Sequence, residues 1–84
     1  MPGVPFVYIL RCADGTLYTG IAKDLARRLA QHQSGRASRY TRARLPVTVA
    51  WSQEVASWSA ALREEIRIKR MSRAAKEEMV RGSL

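Results

Sequence analysis

Three segments of the chain carry apolar residues in the way that β-strands do. Residues 6–12 are rich in β-branched and aromatic side chains, and residues 16–21 return after a turn at residues 13–15. Residues 47–52 alternate between apolar and polar side chains, which predicts a third strand. The inward-facing positions of this strand are expected to be Val47, Val49 and Trp51.

The length of the first turn decides which side chains of the hairpin share a face. A two-residue turn places Tyr8 and Tyr18 on opposite faces, where each would simply be a sheet aromatic. A three-residue loop with Gly15 in a left-handed conformation pairs Cys12 with Thr16 instead. That register places four residues on one face: Tyr8, Leu10, Tyr18 and Gly20.

A helix is predicted over residues 25–34, between the N-cap residue Asp24 and the stop signal Gly35. At about 100° per residue, Arg28 and His32 lie toward the inward face of this helix, whereas Arg27 points nearly opposite. Arg28 is either an interfacial residue with its stem on apolar surface or a functional cation held against the domain.

A second helix is predicted from a serine cap at position 57 or 59 to about residue 70, and a short basic helix over residues 73–81 follows. Trp58, Leu62 and Glu65 fall on one stripe of the second helix, while Glu64 lies well toward solvent. A carboxylate on an apolar face needs a partner. For Glu65 that partner is either Lys69, one turn on, or a metal ion.

Composition limits what this small chain can be. Eighty-four residues suffice for one domain, residues 1–84, with a modest core. The single Cys12 excludes an internal disulfide and any Cys-based zinc site, which suits a reducing cytoplasm. The longest strongly apolar run, residues 6–10, is too short to span a bilayer, so no membrane association is expected.

Positive charge is the strongest compositional signal. The chain has 15 Lys and Arg against 7 Asp and Glu, a formal net charge of +8. Such a surface attracts polyanions, and nucleic acid is the expected partner. Residues 35–46 are predicted to be a loop in which four arginines surround one tyrosine. This loop is either an ordinary solvated segment or a track for phosphates and bases.

The segment Tyr18-Thr19-Gly20, followed by Arg28 and His32, resembles the second half of the GIY-YIG nuclease signature. Phe6-Val7-Tyr8 stands where the first half would be, and the resemblance continues through residues 61–69 to the basic C-terminus. The chain is similar to the small stand-alone (UPF0213-like) members of this superfamily.

The resemblance implies roles for individual residues. Glu65 would hold the metal, Mg²⁺ or Mn²⁺, and Arg28 would stabilise the transition state. Tyr18 would act as the general base or position the attacking water, supported by Tyr8 and His32. Residues expected to contact nucleic acid surround this group: Arg27, Arg36, Arg39, Tyr40, Arg42, Arg44 and Lys69.

The expected fold is α+β, with the order β-β-α-β-α-α and a small three-stranded antiparallel or mixed sheet flanked by helices. The expected function is metal-dependent hydrolysis of DNA by a single-metal mechanism, because only one carboxylate faces inward on a long helix. Branched or structured DNA and RNA are also considered as substrates. The rival interpretation is a DNA- or RNA-binding module with little or no catalysis. A third is a nuclease half that needs a partner or a dimer, since 84 residues leave little room for a separate specificity element. The chain is expected to be a monomer or weak dimer, with a protein partner considered as a source of specificity.

Overall fold

A three-stranded antiparallel sheet is the centre of the structure, a computed structural model that describes residues 4–82. Strands β1 (Phe6–Arg11), β2 (Leu17–Ala22) and β3 (Thr48–Glu54) are arranged in the order β2-β1-β3. The central strand β1 pairs antiparallel with both neighbours. The predicted α+β class is confirmed, and the sheet is entirely antiparallel.

In the described part of the chain, four helices accompany the sheet: α1 (Leu25–Gln33), α2 (Arg39–Arg42), α3 (Trp58–Lys69) and α4 (Arg73–Gly82). The leucines of α1 pack with Tyr8 and Leu10 on one face of the sheet. Side chains of α3 and α4 pack with Val7 and Ile9 on the other face. The sheet therefore separates two small apolar clusters. None of the helices within residues 4–82 is long and apolar enough to span a membrane.

The first hairpin has the three-residue loop. Tyr8 is paired with Gly20 and Leu10 with Tyr18. The backbone N–H of Cys12 donates to the Thr16 carbonyl at 2.9 Å, and Gly15 has a φ of 86°. These observations confirm the register that places both tyrosines on one face.

Caps determine where α1 begins and ends. The Asp24 carboxylate accepts a hydrogen bond from the Arg27 backbone N–H at 3.0 Å, as predicted. The helix ends one residue earlier than predicted, with Ser34 as its C-cap and Gly35 at a φ of 80°.

The segment predicted to be a loop over residues 35–46 contains a helix, so that prediction was wrong in part. Ser38 caps α2 by accepting hydrogen bonds from the backbone N–H groups of Tyr40 and Thr41, at 3.1 and 3.4 Å. This single turn buries Thr41 completely. Four residues are too few for a helical period to be read from the sequence.

The predicted inward face of the third strand was also wrong in part. Ile9 pairs with Trp51 but Leu10 pairs with Val49, so β3 bulges between these positions. Because a bulge interrupts strict alternation, Val47 packs beside Tyr8 while Trp51 packs on the opposite face of the sheet. Val49 is exposed on this edge strand.

Helix α3 is rotated relative to the prediction. The side chains that it buries completely are Ala61 and Ile68, which are two turns apart. The small Ala61 side chain allows the helix to lie close to the sheet. Three large apolar side chains are exposed instead and form what we call the exposed stripe: Trp58, Leu62 and Ile66. Glu65 lies between the buried face and this stripe.

Candidate functional site

Tyr8 and His32 form the buried centre of the candidate site. Each side chain is about 1% exposed, and the Tyr8 hydroxyl lies 2.9 Å from Nε2 of His32. Gly20 makes this arrangement possible because a Cβ atom at that position would lie 2.5 Å from the Tyr8 hydroxyl oxygen. The Tyr8 ring can therefore pack against strand β2 only because Gly20 has no side chain.

Thr41 completes a hydrogen-bonded chain behind the histidine. His32 Nδ1 lies 2.8 Å from the Thr41 hydroxyl, which donates to the Ser38 carbonyl at 3.4 Å. Burial and the nearby Arg28 guanidinium lower the pKa of His32, so the imidazole is neutral. In a consistent chain, Nδ1–H donates to Thr41 and Nε2 accepts from Tyr8.

Several of the predicted catalytic groups affect the pKa of the Tyr8 hydroxyl. Burial raises the pKa of the Tyr8 hydroxyl strongly, and Tyr18 raises it further. The positive charge of Arg28 lowers this pKa, and the negative charge of Glu65 raises it. Tyr8 therefore remains protonated and is a hydrogen-bond donor rather than a base.

Tyr18 is the more accessible of the two tyrosines. It is half-buried, and its ring meets His32 edge-on with centroids 5.3 Å apart. On its other side it stacks with Tyr40, with centroids 6.1 Å apart and planes inclined by 25°. The Arg44 guanidinium carbon lies 3.8 Å above the Tyr40 ring. The two predicted surfaces, catalytic and nucleic-acid-binding, therefore join at Tyr18 and Tyr40.

The two adjacent arginines of α1 differ in exposure as the helical phase predicts: Arg28 is half-buried and Arg27 is exposed. Both line a cavity of about 450 Å³ together with Lys23 and Trp58. They also line a second cavity of about 390 Å³, which extends to Arg36. The arginines are thus placed where an anionic ligand can reach them.

Glu65 forms an ion pair with Lys69, which was one of its two predicted partners. Its carboxylate lies 3.3 Å from Lys69 Nζ, and its side chain is 19% exposed. Glu64 binds Arg67 through two hydrogen bonds of 2.7 and 2.8 Å, which lower the pKa of that carboxyl. Glu64 is 27% exposed, so the contrast in burial between the two glutamates is smaller than predicted.

The donor set around Glu65 suits a hard divalent cation that keeps much of its hydration. Within residues 4–82, no three His, Cys, Asp or Glu side chains come together as a metal-binding group. One partly exposed carboxylate, with water and phosphate oxygens, is the kind of ligand set that Mg²⁺ accepts. To bind a cation fully, the carboxylate would have to leave Lys69.

The residues predicted to contact nucleic acid divide into free and engaged side chains. Arg36, Arg39 and Arg42 are exposed. Arg44 is engaged, because it binds Asp14 at 3.0 Å and the Tyr40 carbonyl at 2.9 Å. Lys69 is separate from the arginines of residues 36–44, since it lies on α3 beside Glu65.

Sequence reasoning missed two parts of this site. Ser38 is a residue type that often caps helices, and this could have indicated the turn carrying Thr41. Trp58 was assigned to the apolar face of its helix, whereas it lines the cavity beside Arg28. Nothing in the sequence alone indicates that exposure.

Replacing Thr41 with valine should destabilise the fold by about 1–3 kcal/mol, because the buried His32 N–H would lose its acceptor. Thr41→Ser, which keeps the hydroxyl, should recover most of that loss. Urea denaturation of the two variants and the wild type measures the difference. A serine variant as unstable as the valine variant would contradict this prediction, because serine keeps the hydroxyl and loses only the methyl group of Thr41.

Comparison with known proteins identifies a family for the chain. The model of the GIY-YIG catalytic domain matches residues 4–78. A UPF0213 protein of Aeromonas hydrophila is 52% identical over 75 residues, which are 89% of this chain and 55% of that relative. The chain therefore spans about half the length of that relative. A UPF0213 protein of Halobacterium salinarum is 48% identical over 73 residues, covering 87% of this chain and 95% of the relative.

Two solved structures are similar as well. The solution NMR structure of a UPF0213 protein from Bacillus halodurans has a TM-score of 0.61 at 40% identity, covering 93% of this chain and 83% of that one. The solution NMR structure of a protein from E. faecalis has a TM-score of 0.65 at 30% identity, covering 95% and 85%. Both likenesses support the same α+β fold.

Proposed function

The chain belongs to the GIY-YIG family, with UPF0213 proteins as its relatives, and we propose that it is an endonuclease that hydrolyses DNA phosphodiester bonds with one divalent metal ion. The observation that carries this proposal is the convergence on Tyr8. Its hydroxyl contacts His32, and the charges of Tyr18, Arg28 and Glu65 all act on it. The five residues come from β1, β2, α1 and α3, and Arg28 also lines the basic cavity.

Each group has a chemical task in this proposal. Glu65 would hold Mg²⁺ or Mn²⁺, which supplies positive charge to the phosphoryl oxygens when bound. Arg28 contributes a second positive charge, which binds the phosphate and stabilises the negative charge that develops in the transition state. Tyr18, the accessible tyrosine, orients the attacking water and accepts its proton.

The buried groups keep the accessible ones in place. Tyr8 remains protonated, and its hydroxyl holds the neutral His32 in one orientation. His32 in turn packs edge-on against the Tyr18 ring and limits where that ring can move. A phenol must lose its own proton before it can accept one from water, and positive charge near the bound phosphate would favour that loss.

The experiment that tests this function is incubation of the purified protein with plasmid DNA, branched DNA and RNA, in Mg²⁺, in Mn²⁺ and in chelator. We expect DNA to be nicked or cut only when a divalent ion is present. Cleavage that persists in chelator would refute the single-metal mechanism. Absence of cleavage under all conditions, with nucleic acid still bound, would favour the second candidate function below.

One observation favours a binding module without catalysis. The Glu65 carboxylate is already paired with Lys69 at 3.3 Å, and that contact opposes metal binding. Under this alternative the basic surface would still bind nucleic acid, through Arg27 of α1 and the exposed arginines of residues 36–42. Metal-dependent nicking separates the two candidates.

A further inference from the structure

Trp58 is an exposed aromatic residue beside the candidate site. It is the first residue of α3, and its side chain is 40% exposed. It lines the cavity of about 450 Å³ that Arg27 and Arg28 also line. Exposed tryptophans are costly, since a large apolar ring remains in water.

The surroundings of the Trp58 ring are cationic. Lys23 Nζ lies 5.6 Å from the ring centroid, within the distance of a cation–π contact. The guanidinium groups of Arg27 and Arg28 line the same cavity. The carboxylate in the cavity lining belongs to Asp24, which caps α1. An aromatic face among cations fits a ligand that carries both a ring and negative charge, as a nucleotide does.

The position of Trp58 relative to Glu65 supports the same ligand. The two residues are seven positions apart on α3, so they lie about 10 Å apart along the helix axis and only about 20° apart around it. The ring and the proposed metal-binding carboxylate are therefore on one side of the helix. A nucleotide close to the phosphate at Glu65 and Arg28 can reach the ring.

We propose that the Trp58 ring stacks on an unpaired nucleobase of the substrate, one that lies close to the phosphate bound by Arg28. The inference rests on the proposed nuclease function for the identity of the ligand as nucleic acid. Base faces in a continuous duplex are covered by their neighbours, so the stacked base must be unpaired or displaced. The site therefore selects DNA with unpaired nucleotides near the cut.

The rest of the exposed stripe suggests a rival explanation for the exposure of the Trp58 ring, namely a protein partner. Leu62 and Ile66 are 42% and 50% exposed, so all three side chains together could cover a partner protein. The cations of the cavity surround only the Trp58 end of the stripe. This asymmetry favours a nucleic acid at Trp58, and it provides a matched control at Leu62.

Binding measured in chelator tests the inference without any cleavage. The probes are a short single-stranded DNA oligonucleotide and the duplex that it forms with its complement. Trp58→Leu, which keeps an apolar side chain but removes the aromatic face, should weaken single-strand binding by about 5- to 150-fold. Trp58→Phe should retain most of the affinity, and Leu62→Ala should change it by less than about twofold. Duplex binding should respond less to Trp58→Leu.

Tryptophan fluorescence provides a second measurement. The chain has two tryptophans, and Trp51→Phe leaves Trp58 as the only one, so excitation that avoids the three tyrosines reports on Trp58. In that variant we expect strong quenching by the single strand and weak quenching by the duplex, because stacking requires a free base face. Equal quenching by both probes would contradict the inference.

The outcomes also separate this inference from the nuclease proposal. If Leu62→Ala weakens binding as much as Trp58→Leu, or if Trp58→Phe is as weak as Trp58→Leu, base stacking is refuted. If the wild type cuts DNA and Trp58→Leu binds normally, the nuclease proposal remains and the stacking site is rejected. If the wild type never cuts DNA but binding depends on the Trp58 ring, the nuclease proposal fails and the stacking site is supported.

Discussion

Replacing Arg28 with alanine will lower the rate of DNA cleavage at saturating substrate by about 10²- to 10³-fold, as expected for the loss of one transition-state electrostatic contact. Arg28 is half-buried, and its charge acts on both Tyr8 and His32. Charge that develops on a phosphoryl oxygen at this position is poorly screened by water. We therefore expect the guanidinium to contribute more to the stability of the transition state than to substrate binding.

Arg27 provides the matched control, because it is the adjacent residue with the same side chain but is exposed. Arg27→Ala should weaken DNA binding and change the rate at saturating substrate only slightly. Single-turnover kinetics separate the two effects, and thermal denaturation shows that both variants are folded. If Arg27→Ala and Arg28→Ala lower the cleavage rate at saturating substrate by the same factor, the assignment of Arg28 by helical phase is wrong.

Replacing Glu65 with glutamine will abolish most of the cleavage and raise the Mg²⁺ concentration needed for the remainder. Glutamine keeps the shape of the side chain but removes the negative charge that attracts a hard cation. The measurement is a titration of cleavage rate with Mg²⁺, accompanied by DNA binding in chelator, which should remain near that of the wild type.

Two controls distinguish a metal ligand from a structural ion pair. Glu64→Gln should reduce the cleavage rate only mildly, since Glu64 binds Arg67 and not the site. Lys69→Ala removes the observed partner of Glu65 but leaves the carboxylate free to bind a cation. If Lys69→Ala loses as much metal-dependent activity as Glu65→Gln, Glu65 acts through its ion pair and the metal assignment fails.

The hairpin shows how far the sequence could predict the site. Two turn lengths were compatible with residues 12–16, and only the three-residue loop brought Tyr8 and Tyr18 to one face. The structure has that loop, with Gly15 in the left-handed conformation that the bulge requires. Local turn chemistry and the resemblance together were sufficient here.

Tertiary packing decided what the sequence could not. On α3, hydrophobicity favoured Leu62 for burial, yet Ala61 faces the sheet because a small residue allows closer approach. In β3, a bulge changed which side chains face each side of the sheet. The exposure of Trp58 follows from the first of these effects, since the rotation of α3 leaves its ring in the cavity beside Arg28.

The candidate site is assembled from side chains on β1, β2, α1 and α3, and the first and last of them along the sequence are Tyr8 and Glu65. Partial unfolding that detaches any one of these elements removes a catalytic group. A partly folded chain, whether newly made or being degraded, would therefore be inactive toward nucleic acid. Under the proposed function, the wide spacing of the groups would confine hydrolysis to the cooperatively folded protein.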